Sequence, residues 1–436
     1  MFIRAVGYLW GDLSHAEIRK FTVLSGIFFL LIGAYWLLRT QKDAVFDSIV
    51  GLAYQPRAKI LSWFVSIILV LIYSKLLDLL GNKKLLLVLA TFFGSSFMVI
   101  AYCLEFASFG FADVVASPDR IFGWVIYVLI ESLGSLMVGL FWAFVTSTTD
   151  ATSAKKGYPL VIVGSQCGSL LGSYCSWQSE WFGNAFLFGA GACALALIVP
   201  MVFWYVRIIA SHEKPTTPKQ SQKPKTGIWE GLRLLLTRPY VGAILIVSTI
   251  YEVITTVLEY EMKLVAKEIY VTREAFASFN GMYGMFVNGL ALLFALIGTS
   301  FLMRRFGLRF CLLLFPIITA FFVGWVYFSP VLYILLMACM ATKGLSYAMN
   351  NPAKEMMYIP TVQDVRFKAK GWIDQFGGRT FKGLGAAVND SFRHSFGELV
   401  SYSTYISFGL IAVWLVAAAY VGSRFKSLTE KGEVID

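Results

Sequence analysis

Apolar residues in this chain gather in long runs, not in the one-sided or alternating patterns of a water-soluble fold. A helix that crosses a bilayer needs about 20 predominantly apolar residues. Twelve stretches meet that requirement: 21–38, 60–80, 85–104, 121–147, 158–178, 183–209, 239–258, 280–303, 308–328, 330–349, 372–392 and 401–423. The eleventh is the weakest, because Asp374, Arg379 and Lys382 interrupt it. Between the sixth and seventh runs, residues 211–228 are rich in Lys, Pro and Thr and read as a linker. The pattern therefore predicts an all-α polytopic membrane protein with 12 transmembrane helices in two six-helix bundles. The expected domains are an N-terminal bundle over 1–210, a cytoplasmic linker over 211–238 and a C-terminal bundle over 239–436.

Composition agrees with this reading. Hydrophobic residues make up 58% of the chain and charged ones only 14%, with a mean hydropathy of +0.69. Soluble domains are about 45–50% apolar and about 25% charged, so a water-soluble enzyme and a disordered chain are both excluded. The net charge of +11 would raise nucleic acid as a partner in a soluble protein. Here it follows from the basic loops that orient membrane helices. With the N-terminus inside, 24 Lys and Arg fall on the cytoplasmic side and nine on the other. Both termini are therefore expected in the cytoplasm. The six cysteines lie in apolar stretches without ligand-like spacing, and the three histidines lie far apart, so no metal site is predicted. No cofactor is expected either. The first apolar run follows a polar, amphipathic start without a small-residue cleavage site, so it reads as an uncleaved helix.

The two halves carry matching loops. Asp150, Lys156, Gly157 and Gly164 recur 214 residues later as Asp364, Lys370, Gly371 and Gly378. Gly81 followed by Asn82, Lys83 and Lys84 has a counterpart in Gly307-Leu308-Arg309, a faint echo of the major facilitator loop motif. Internal repeats with a long central loop are the mark of a rocking secondary transporter.

Charges inside such spans are costly, at least about 2.5–3.5 kcal/mol each at the bilayer centre, so they point to protein-lined or wet surfaces. The first span ends in Arg39-Thr40-Gln41-Lys42-Asp43. The fourth holds Glu131, on one face with Tyr127 and Ser135. The seventh holds Glu252 and then Glu259, Glu261 and Lys263; the tenth holds Lys343; the eleventh holds Arg379 and Lys382, three apart and so on one face. These residues are expected to converge on a central cavity. Cations clustered in a low dielectric repel unless counter-charges arrive, and Arg and Lys are the usual phosphate donors. Nearby aromatics, including Tyr35, Trp36, Tyr127 and Trp372, offer faces for a flat base. An organic phosphate is the predicted cargo. No G-x-x-x-x-G-K-[ST] phosphate loop occurs, so a gradient or an exchange must drive movement. The chain is not expected to be an enzyme.

Three blocks carry a family resemblance: LLRTQKDAVFDSIVG (37–51), ESLGSLMVGLFWAF with DATSAKKGYP (131–159), and NNPAKEMMYIPTVQDVRFKAKGWIDQFGGRTFKG (350–383). In these the chain resembles the non-mitochondrial ATP/ADP translocase (nucleotide transporter, NTT) family of plastids and obligate intracellular bacteria. The resemblance implies a major-facilitator-like fold and antiport, typically of ATP for ADP with phosphate, while some members take up other nucleotides or NAD. It implies four transport-critical charges, which fall on Lys42, Glu131, Glu259 and Lys382. Arg39 and Arg379 join them as candidate phosphate ligands from the residue reading. The chain departs from the family in Leu38-Arg39-Thr40-Gln41-Lys42-Asp43, where an acid is lost, and after Glu259. The runner-up expectation is a proton-coupled transporter of another organic anion, or of a nucleotide such as NAD. The expected setting is a monomer in a bacterial cytoplasmic (inner) membrane, with nucleotides and lipid as partners and no nucleic acid.

Overall fold

The computed structural model describes residues 14–106, 115–149, 151–210, 228–297, 299–362, 365, 369–370 and 372–431. Asp150, Asp364, Gly371 and the linker residues 211–227 lie outside the described residues, so the loop repeat is described only in part. The described chain is helical nearly throughout: α1 (His15–Ile49), α2 (Gln55–Glu105), α3 (Ile121–Ser147), α4 (Ala151–Trp177), α5 (Asn184–Ala210), α6 (Ile228–Thr237), α7 (Pro239–Ile269), α8 (Arg273–Ile297), α9 (Thr299–Phe328), α10 (Leu332–Leu345), α11 (Asn351–Met357), α12 (Gly378–Ser391) and α13 (Phe396–Lys431). Seven helices among the described residues are long and apolar enough to cross a membrane: α1, α2, α3, α5, α7, the 305–328 part of α9, and α13. α10 is apolar but shorter. The protein is an all-helical, multi-pass membrane protein.

The chain forms two compact units. The first comprises residues 1–221 and 270–288, the second 222–269 and 289–436.

In the first unit α1 starts at a capping box, where Ser14 and Glu17 each accept the other's backbone N–H. α1 and α4 meet along a seam of small residues. Gly164 faces Ser25, Gly168 faces the Phe29 carbonyl, and Gly172 faces the Gly33 carbonyl. A Cβ at Gly172 would lie 2.2 Å from that oxygen. Glycines four apart present one bare helix face and let two backbones approach, the packing logic of membrane helices. On its other side α1 packs on α3 through rings: Phe28 stacks on Phe141 at 4.3 Å, and Phe46 sets its edge to Trp124 and Tyr127.

α2 has 51 residues, about 77 Å at 1.5 Å per residue, too long for one straight crossing of a hydrocarbon core about 30 Å thick. It breaks at Gly81, which has φ 71° and ψ 163°, a conformation open to glycine and penalised for any residue with a Cβ. α9 breaks in the same way at Gly307, with φ 79° and ψ 162°. The two loops paired in the sequence thus share one backbone shape.

In the second unit α7 is the most enclosed helix, buried from Tyr240 to Ala266 on most of its faces. α12 lies against it with Gly385 at the Val253 carbonyl, and Asn389 donates to the Thr256 carbonyl at 3.2 Å. α13 closes the other side, where Ser403 donates to Glu261 at 2.7 Å and Trp414 sets its edge to Phe315 of α9. Two π-turns interrupt this unit, Ser346–Asn350 after α10 and Ile373–Gly377 before α12. Such turns shift the phase of the side chains that follow and recur at functional sites.

Candidate functional site

The glycine seam and the ring contacts place Lys42, in the last turns of α1, against the middle of α3. Its ammonium donates to the Glu131 carboxylate and lies 4.1 Å from the centre of the Tyr127 ring, one helical turn before Glu131. A cation over a tyrosine face gains from the ring quadrupole, more so where water is excluded. The Lys42 side chain is only 5% exposed, whereas that of Glu131 is 35% exposed. The carboxylate is therefore the accessible member and the lysine sits behind it. Tyr127 is fixed in turn by Gln55, whose amide lies 3.3 Å from the tyrosine hydroxyl and donates at the same distance to Asp43. Arg39, one turn before Lys42, lies over Trp36 at 4.9 Å and donates to the Tyr35 hydroxyl at 3.3 Å. Lys42, Glu131 and Arg39 thus share one aromatic-lined region of the first unit.

In the second unit Glu252 and Glu259 stand seven residues apart on α7 and so share a face. Glu259 pairs with Lys343 of α10 at 3.4 Å. Glu252 pairs with Lys382 of α12 at 3.5 Å and accepts from the Tyr251 hydroxyl at 2.8 Å. Arg379 lies one turn before Lys382 and is half-buried. Glu259, Arg379 and Lys382 therefore belong to one charged stretch, but Glu259 and Lys382 are not each other's ion-pair partners. Lys343 and Glu252 fill those places. Both stand out in the sequence as charges within apolar spans, but nothing in the sequence fixes the rotation of α10 or α12 about α7, and so their partners.

Two further ion pairs tie the 350–383 block together. Lys354 of α11 reaches Asp374, and Lys370 donates to both oxygens of Glu355 at 2.6 Å. These pairs join α11 to the approach to α12 and so bear on where Arg379 and Lys382 stand. A separate polar cluster in the first unit joins Gln41 of α1 to Ser176 of α4 at 2.8 Å, Asn184 of α5 to Gln41, and Arg273 of α8 to Asn184 at 3.0 Å. Glu261 turns away from its neighbours Glu259 and Lys263 toward Ser403 of α13.

A family model described as TLC ATP/ADP transporter matches residues 2–108 and 119–425. The chain is 25% identical to an ADP,ATP carrier protein 1 of Rickettsia typhi, covering 98% of this chain and 97% of that protein. It is 26% identical to an ADP,ATP carrier protein 1 of Chlamydia trachomatis serovar D, over 96% of this chain and 90% of the relative. A chloroplastic ADP,ATP carrier protein 1 of Arabidopsis thaliana is 23% identical, over 96% and 76%. Among solved structures, the nucleoside transporter NupG superposes with a TM-score of 0.62 at 12% identity, over 93% of this chain and 99% of that one. A bacterial homologue of the iron transporter ferroportin, in an inward-facing state, gives 0.64 at 13% identity, over 93% and 100%. At such identities the structural likeness speaks to fold alone, and that fold is the helical one these two proteins share.

Proposed function

We propose a function from one premise: the chain belongs to the TLC ATP/ADP transporter family. The protein is a secondary active transporter that exchanges nucleotides, ATP for ADP, by alternating access. Curated relatives matched over nearly the whole chain are named ADP,ATP carrier proteins, which supports that cargo.

One observation carries the chemistry. Each unit holds lysines within apolar helices and sets a carboxylate against them, Lys42 with Glu131 in the first and Lys343 and Lys382 with Glu259 and Glu252 in the second. An ammonium enclosed among apolar residues needs a counter-charge. In the empty carrier the glutamates supply it, and in the loaded carrier phosphate oxygens replace them. Lys42, Lys382, Arg379 and Arg39 are the phosphate ligands in this reading, and Glu131 and Glu259 hold the lysines between substrates. Arg39 is suited to a planar partner because its guanidinium already lies over Trp36, and it offers a fork of donors. No chemical change of the nucleotide is required, and the carrier acts by moving its binding residues from one face of the membrane to the other.

Twelve crossings in two six-helix bundles follow from this reading, with α2 divided at Gly81 and α9 at Gly307. Both termini then lie in the cytoplasm of a bacterial cell whose cytoplasmic membrane holds the carrier. The exposed Lys426, 73% accessible on α13, provides the topological test. A Lys426→Cys variant in intact cells should resist an impermeant thiol reagent added outside, and ready labelling would reverse the orientation. For the cargo, cells expressing the protein are given labelled ATP with an excess of ADP, GTP, CTP, UTP or NAD. ADP should compete most strongly. Strong competition by NAD with none by ADP would move the assignment to a different cargo.

A further inference from the structure

Glu252 and Glu259 of α7 are held unequally. Glu259 and its partner Lys343 are both nearly enclosed, at 11% and 13% exposure. Glu252 is enclosed as well, at 13%, but its partner Lys382 is 40% exposed. Of these two lysines Lys382 is thus the reachable one, with a buried carboxylate behind it. The contact is also loose. One Glu252 oxygen accepts the Tyr251 hydroxyl at 2.8 Å. The other, Oε2, is buried without a hydrogen bond and stands 3.5 Å from the Lys382 ammonium. Charge-assisted hydrogen bonds close to about 2.7–2.9 Å. The attraction is therefore Coulombic, and the ammonium keeps donors to give.

We propose that Glu252 tunes affinity for anionic substrates by competing with their phosphate groups for Lys382. The inference rests on the reading of Lys382 as a phosphate ligand. A fixed carboxylate 3.5 Å away compensates the lysine in the empty carrier but does not clamp it. An incoming polyphosphate offers more negative charge and can approach to hydrogen-bonding distance, so it displaces Glu252. When the substrate leaves, the carboxylate is still in place, because Tyr251 holds its other oxygen. Glu252 accordingly weakens binding and speeds release. Interactions that tighten the bound state without helping the slow step lower KM and do not raise kcat, and removing the competitor should have that signature. A purely structural Glu252, one that aims Lys382 at the substrate, predicts the opposite sign in KM.

The test uses the purified full-length chain as wild type, Glu252→Gln and Glu252→Asp. Labelled ATP exchange is measured in liposomes, and binding of inorganic tripolyphosphate is measured calorimetrically in detergent. Glu252→Gln should lower both the KM for ATP and the Kd for tripolyphosphate about three- to tenfold, through the lost competition for one charged contact, with kcat reduced. Glu252→Asp, which keeps the charge but draws it back, should fall between, and it carries the test if the glutamine variant does not fold. In a Lys382→Ala background the gain in tripolyphosphate binding should vanish, because the coupling runs through that lysine. An unchanged or raised Kd and KM in Glu252→Gln overturns the proposal. So does the same gain without Lys382, or failure of wild type and variant alike to bind tripolyphosphate. A wild type that exchanges no nucleotide would end the transport reading, while the tripolyphosphate comparison would still decide the role of Glu252.

Discussion

Lys42 of α1 faces Glu131 of α3 in the first unit, and Glu259 of α7 faces Lys343 of α10 in the second. Glu259 comes 217 residues after Lys42 and Lys343 212 after Glu131, close to the 214-residue offset of the repeated loops. Each unit therefore builds its central ion pair from corresponding helices, with the signs exchanged. A second contrast lies on the next pair of helices. Counting 214 residues on from Gly168 gives Lys382. In the first unit Gly168 brings α4 against the Phe29 carbonyl of α1. In the second, a lysine reaches from α12 to a carboxylate on α7. A shared fold thus fixes which helices touch, while the residue at the contact decides whether it is a close-packed seam or an electrostatic pair that a ligand can open.

The largest expected effect tests the seam against the pair. Gly168→Lys places a side chain where a Cβ alone would lie 2.3 Å from the Phe29 carbonyl, so the first unit should fail to assemble and the protein should be lost from the membrane. Lys382→Gly, the reverse exchange in the second unit, should insert normally and lose transport. Equal membrane abundance of the two variants, by immunoblot, would erase the distinction.

Next come the two members of the first pair. Glu131→Gln leaves Lys42 enclosed without its counter-charge, and breaking a buried pair from one side costs about 3–5 kcal/mol. Lys42→Ala leaves Glu131, whose side chain is 35% exposed and can take water, so the loss should be smaller. Thermal unfolding in detergent should rank wild type above Lys42→Ala and Lys42→Ala above Glu131→Gln, although both variants should be inactive. The reverse order would mean that Lys42 is less enclosed than the structure has it.

A smaller effect separates Lys382 from Lys42. Lys382→Ala removes an exposed cation but leaves the enclosed Glu252 without its ion-pair partner, so some stability should be lost, while ATP uptake at matched membrane abundance falls strongly. Lys382→Arg keeps the charge but replaces a compact ammonium by a planar fork, and should retain part of the activity. AMP, with fewer phosphate charges to pair, should lose less affinity than ATP in Lys382→Ala. Normal ATP uptake in the alanine variant at matched abundance would remove Lys382 from the site.

Much of the architecture was readable from the sequence because the bilayer penalises polar backbone and charged side chains so heavily. Apolar runs such as 239–258 have to be helices, and Gly81 and Gly307 ahead of cations marked connections between neighbouring spans. The charges that form the ion pairs were visible for the same reason, since Lys42, Glu131, Glu252, Glu259, Lys343 and Lys382 all lie within or at the ends of apolar runs. The pairing of those charges was not readable. Glu252 and Glu259 share a face of α7, so helical period cannot say which of them meets Lys343 and which Lys382. The π-turns at Ser346–Asn350 and Ile373–Gly377 further shift side-chain phase, and no composition signal marks them. The short α11 was equally hidden, because the apolar residues it buries, Ala353 and Met357, make too brief a pattern to announce a helix.

The most direct measurement is the dependence of uptake on what waits inside. Liposomes containing the purified protein are loaded with ADP or left empty, and labelled ATP is added outside in the presence and absence of an uncoupler. Carboxylates that re-engage lysines between substrates predict rapid uptake into ADP-loaded vesicles, little into empty ones, and no effect of the uncoupler. Uptake that is equal in empty and loaded vesicles, or that collapses with the proton gradient, would contradict nucleotide exchange.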